Sequence, residues 1–176
     1  MLELMSGKLA VGIKNIVPDH PASYAVLKFS ISVVLNVVFI IGLTLVVSLL
    51  TDRTGEALQI LISFALLRQV SGGAHLKSGM ACVFFTATLF TLLSYVEVSS
   101  EYVLLMNGIS LLVVLWRAPI GIERQTRIPQ RHWPKLKIIA ALLVAANLLI
   151  GSPVIAASLL AQSISLLIAR REVKSL

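Results

Sequence analysis

The chain has 176 residues, 57% of them hydrophobic, with a formal net charge of +7 and a mean hydropathy of +0.94. That apolar share exceeds the roughly 45–50% of soluble domains, and the basic residues sit at the ends of long apolar runs, not in a stripe, so nucleic-acid binding is excluded. The single cysteine, Cys82, excludes an internal disulfide and a cysteine-based metal site.

In residues 1–17 the apolar side chains Leu2, Met5, Leu9, Ile13 and Ile16 recur at near-helical spacing. Pro18 and Pro21 interrupt the pattern. We read this segment as an amphipathic helix lying in the membrane interface, not a helix packed only on protein. No continuous apolar core of a cleavable signal peptide is read in residues 1–19.

Residues 27–50 are long enough to span a hydrocarbon core of about 30 Å. Asn36 is the strongly polar residue inside this run and is expected to form a hydrogen bond between helices. Further apolar runs predict spans over about 57–74, 79–96, 102–116, 136–150 and 153–169. The last two flank Gly151-Ser152-Pro153, a turn signal that makes them a helical hairpin. The fold class is therefore all-α: a polytopic membrane helical bundle of about six transmembrane helices behind an N-terminal amphipathic helix. It forms one integral membrane domain over 1–176.

Charge supports six spans. With the N-terminus in the cytoplasm, 14 of the 15 basic residues fall on the inner side, all but Arg53. The predicted outer loops carry Asp52, Glu56, Glu97 and Glu101 instead. Removing any one span scatters the basic residues over both faces. The positive-inside rule then puts both termini in the cytoplasm. The second span is the weakest of the six.

The stretch 68–82, RQVSGGAHLKSGMAC, departs from this pattern. Arg68, Ser71, Gly72, Gly73, His75, Lys77, Ser78 and Gly79 crowd between two apolar runs. Each glycine costs a helix about 1 kcal/mol relative to alanine. Broken backbone near membrane depth is tolerated only where protein or a water-filled cavity covers it. On a continuous helix His75 and Cys82 would lie about 10 Å apart along the axis, too far for direct chemistry. A break at Ser78-Gly79 removes that obstacle and puts Cys82 near the first turn of the next helix. A helix N-terminus favours negative charge and with it the thiolate nucleophile. A nearby histidine serves such a cysteine as base. The competing reading is a small apolar core cysteine beside a solvated histidine.

The pattern R-x-x-x-G-G-x-H-x-x-x-x-x-x-C, formed by Arg68, Gly72, Gly73, His75 and Cys82, resembles the accessory gene regulator B (AgrB) family of bacterial membrane peptidases. Ala118-Pro119 after the fourth span, followed by a basic loop, is a second point of likeness. The resemblance implies a cysteine endopeptidase in the bacterial cell membrane that cleaves a small quorum-sensing propeptide of the AgrD type. It also implies thioester-mediated cyclisation of the product. Carried onto this chain, it makes Cys82 the nucleophile and His75 the general base, with Arg68, Ser71, Gly72 and Gly73 shaping the site. Arg68 could instead clamp a substrate carboxylate. Backbone carbonyls, Ser71 and Gln69 are the groups available to orient the imidazole, and Glu123 is the acid of the inner loops. No cofactor and no metal are called for. The expected partners are the propeptide, the lipid bilayer and a second copy of the chain, since six short helices enclose little volume. The alternative is a non-enzymatic transporter or exporter of peptides, against which the spans offer almost no ionisable residues for an ion relay.

Overall fold

The structure is a computed structural model and describes residues 2–74, 78–121 and 128–169. Its elements in chain order are α1 (Leu2–Ile16), α2 (Tyr24–Leu50), α3 (Thr54–Ser71), α4 (Gly79–Leu93), α5 (Ser100–Arg117), a single 3-10 turn (Gln130–His132), α6 (Trp133–Ile150) and α7 (Pro153–Ile168). Among the described residues the architecture is a helical bundle, broken only by an isolated parallel bridge between Gly72 and Ile120.

Local sequence sets the ends of these helices. Ser23 caps α2, its hydroxyl accepting from the Val26 amide at 3.4 Å. Ser78 caps α4 through the Ala81 amide, also at 3.4 Å. Between α6 and α7, Gly151 takes the left-handed conformation (φ 70°, ψ 18°), Ser152 caps the next helix and Pro153 begins it. Helix α3 ends at Ser71, three residues before the expected boundary at 74.

The packing is inverted relative to a soluble bundle. Large apolar side chains point outward; Leu149 is 92% exposed and Leu112 70%. Small and polar residues turn inward, among them Ser110, Asn147, Ser158, Gln162 and Ser163. This is the pattern of helices solvated by lipid, where small residues let backbones approach and polar side chains bond between helices. Ser63 and Ser158 join α3 to α7 in this way at 2.8 Å, and Asn147 donates to Asn107 Oδ1 at 3.2 Å between α6 and α5. Asn36 does not follow suit: its Oδ1 is buried without a hydrogen-bond partner among the described residues. Three helices are long and apolar enough to cross a membrane, Tyr24–Leu50, Ser100–Arg117 and Gln130–Ile150; Gly79–Leu93 and Pro153–Ile168 are shorter apolar helices.

Helix α7 is the centre of the bundle, packing on α5, α3, α6 and α4 and burying residues from Val154 to Leu166. One end is tied by Arg53, which bonds Glu97 at 3.1 Å and Glu56 at 3.3 Å and lies 5.0 Å from the Tyr95 ring centroid. The Glu97 hydrogen bond is the main reason that the Arg53 pKa is raised above its ordinary value. The Gln59–Ser152 bond (2.8 Å) joins α3 to the α6–α7 turn. The other end holds an apolar cluster containing Leu67, Val114, Ala118, Ile120, Leu166 and Ala169.

Helix α1 packs on α2. Its buried residues are Leu2, Ser6 and Ala10, whereas Leu4, Leu9 and Ile16 are exposed. Leu2 reaches the start of α4, where its Cδ1 would lie 3.3 Å from a Cβ at Gly79.

Candidate active site

Helix α3 stops at Ser71, and the sequence dictates how. Gly72 (φ 77°) and Gly73 (φ 137°) both have positive φ, a region that side-chain-bearing residues avoid. The Gly72 amide closes the last turn of α3 by donating to the Arg68 carbonyl at 2.9 Å. The turn is then paired with the segment after α5. The Gly73 amide donates to the Ile120 carbonyl and the Ile120 amide to the Ser71 carbonyl, each at 3.0 Å. The pairing strand enters through a cis Ala118-Pro119 bond. A Cβ at Gly121 would lie 3.0 Å from the Gly73 carbonyl oxygen, so the two backbones touch. The two sequence features singled out separately, the Gly-Gly pair and Ala118-Pro119, are thus parts of one structure.

Side chains complete it. Arg68 donates from Nη2 to the Ala74 carbonyl at 2.6 Å and from Nη1 to Gln162 Oε1 at 3.2 Å. Its guanidinium carbon lies 5.9 Å from the Phe64 ring centroid. Each terminal nitrogen makes one bond within the protein. Ser71 is buried and donates to the Leu67 carbonyl at 2.7 Å. Gln162 of α7 donates to the Gly72 carbonyl at 2.6 Å and to Ser71 Oγ at 3.1 Å.

Cys82 lies in the first turn of α4, half-buried, its amide bonded to the Ser78 carbonyl at 3.0 Å. Its Sγ is 4.0 Å from Thr86 Oγ1. His75 lies outside the described residues, as does Glu123. Gln69 is exposed. Among the described residues the imidazoles of His20 and His132 make local hydrogen bonds, His20 Nδ1 with the Ala22 amide and His132 Nε2 with Arg131, each at 3.1 Å.

So Arg68, Ser71, Gly72 and Gly73 converge, with Cys82 on the helix that follows. Sequence reasoning missed Gln162, Ile120 and Ala169, the last accepting from Arg117 Nη2 at 3.3 Å at the end of α7. Gln162 had one available signal: it is the sole amide side chain in the apolar run Pro153–Ile168. Ile120 and Ala169 contribute backbone groups, for which sequence carries no signal.

An apolar-surfaced helical bundle with a polar interior and a broken backbone segment folded into it defines a helical membrane protein. The family described as Accessory gene regulator B matches residues 6–170, and the chain belongs to that family. A protein of Halalkalibacterium halodurans named as AgrB-like is 30% identical over 137 residues, covering 78% of this chain and 70% of the relative. No solved structure gives a significant match.

Proposed function

We propose that the chain is a membrane cysteine endopeptidase that cleaves a small quorum-sensing propeptide of the AgrD type, with Cys82 as nucleophile and His75 as general base. The observation that carries this reading is the anchored turn Ser71–Ala74. Arg68 holds the carbonyl of Ala74, the residue before His75. Membership of the accessory gene regulator B family supports the same assignment.

In this mechanism His75 takes the Cys82 proton and the thiolate attacks the scissile carbonyl carbon. The tetrahedral intermediate collapses, the C–N bond breaks, and the imidazolium returns the proton to the leaving amine. The N-terminal part of the propeptide remains on Cys82 as a thioester. Water then hydrolyses it, or a nucleophilic side chain of the bound peptide attacks it and closes a ring. The first turn of α4 contributes partial positive charge beside the thiol. Within this reading the chain crosses the bacterial cell membrane six times with both termini in the cytoplasm. The site lies at the cytoplasmic edge, where a membrane-bound propeptide presents its cleavage point.

The test is to incubate purified chain in nanodiscs with its propeptide, quench with acid and measure intact mass. The expected species is the chain plus the N-terminal propeptide fragment, removed by neutral hydroxylamine. Cleavage that generates no hydroxylamine-labile adduct at Cys82 at any time from the first turnover onward rejects the thioester route.

A further inference from the structure

Gln162 is fully buried, at 0% exposure, in the middle of an apolar helix. A buried carboxamide is costly unless its donors and acceptor are matched, and here both ends are matched. Its orientation is fixed by chemistry. A guanidinium only donates and a backbone carbonyl only accepts. Oε1 must therefore face Arg68 Nη1 (3.2 Å), and Nε2 must face the Gly72 carbonyl (2.6 Å). Ser71 Oγ adds a second bond to Nε2 at 3.1 Å, while the single Ser165 hydroxyl proton goes to the Gln162 backbone carbonyl at 2.7 Å with Oε1 at 3.1 Å. The Ser71 hydroxyl proton is directed to the Leu67 carbonyl (2.7 Å), leaving its oxygen free to accept.

We infer that Gln162 is a positioning residue for the chemistry proposed above, fixing the turn that leads to His75 by holding the Gly72 carbonyl and the Arg68 guanidinium at once. Arg68 passes the constraint to the Ala74 carbonyl. The role demands a group that donates at one end and accepts at the other. Glutamate keeps the shape and the Arg68 contact but presents oxygen to the Gly72 carbonyl. Methionine keeps the length and neither bond. The inference rests on the reading of His75 and Cys82 as a base and nucleophile pair.

Cys82 is the sole cysteine, so alkylation by iodoacetamide reports on that thiol without any peptide substrate. The pH–rate profile is measured on the full chain in nanodiscs for wild type, His75→Ala, Gln162→Glu, Gln162→Met and His75→Ala/Gln162→Glu. His75→Ala is expected to slow alkylation near neutral pH by about tenfold or more, the scale of general-base loss. Both Gln162 variants are expected to reproduce that change in the profile. The double variant should match His75→Ala within about twofold, the scatter of independent measurements, because Gln162 acts through the histidine. Gln162→Glu retains volume and the Arg68 bond, so it serves where Gln162→Met does not fold. Wild-type profiles in the Gln162 variants beside a slowed His75→Ala overturn the inference and leave the proposed function standing. A double variant much slower than His75→Ala also overturns it. A wild-type profile in His75→Ala overturns the base–nucleophile pair itself.

Discussion

Gln162 and Gly72 stand 90 positions apart in the chain and are joined by a 2.6 Å hydrogen bond from the carboxamide to the backbone carbonyl. This bond ties the central helix of the bundle to the turn between α3 and α4. Ser71, Gly72 and Gly73 are therefore part of the packed interior, and substitutions there should act on stability and activity together.

Gly73 gives the sharpest case. At φ 137° a side chain is strained, and its Cβ would lie 2.6 Å from Ser165 Oγ and 3.2 Å from Arg68 Nη1. Gly73→Ala is expected to cost about 1–3 kcal/mol from backbone strain alone. Thermal unfolding in detergent should show a lowered melting temperature, and propeptide cleavage should be lost.

Arg68→Lys separates a shaping role from substrate binding. The guanidinium serves two acceptors from two nitrogens, the Ala74 carbonyl and Gln162 Oε1, which one ammonium on a different stem cannot reproduce. Misplacement of a catalytic group by 1 Å can cost about 100-fold, so kcat should fall at least tenfold while KM stays near wild type. A raised KM with unchanged kcat would instead mark Arg68 as a ligand for substrate.

How much of this was legible in the sequence depends on the range of the interaction. Helix positions follow from apolar runs, and the α6–α7 turn follows from Gly151-Ser152-Pro153, because both signals are local. The Gly72-Gly73 break was visible for the same reason. The partner of that break was not: Ile120 pairs with it through its amide and carbonyl, which every residue type but proline possesses. Gln162 looked like one polar residue among the serines of α7.

The Ser63–Ser158 bond between α3 and α7 offers a measurement of interior polarity. Replacing each serine by alanine, singly and together, should give a coupling of about 0.6 kcal/mol, typical of hydrogen bonds between membrane helices. Equilibrium unfolding in mixed micelles measures it. Strict additivity would show that the hydroxyls are replaced by other partners.

Topology can be mapped in a Cys82→Ala background with single cysteines. Under the six-span arrangement, cysteines at Thr54 and Val98 should react with a membrane-impermeant maleimide on intact cells. Those at Val17 and Gln130 should react only after permeabilisation. Labelling of Gln130→Cys from outside would refute the arrangement.

The most direct test of the account is propeptide processing by the Cys82→Ala chain, expressed beside the propeptide and compared with wild type at equal membrane abundance. Wild type should convert the propeptide to its shortened form, and Cys82→Ala should leave it intact, as should His75→Ala. Normal conversion by Cys82→Ala would contradict the account, leaving the polar-lined bundle to a non-enzymatic role such as peptide export.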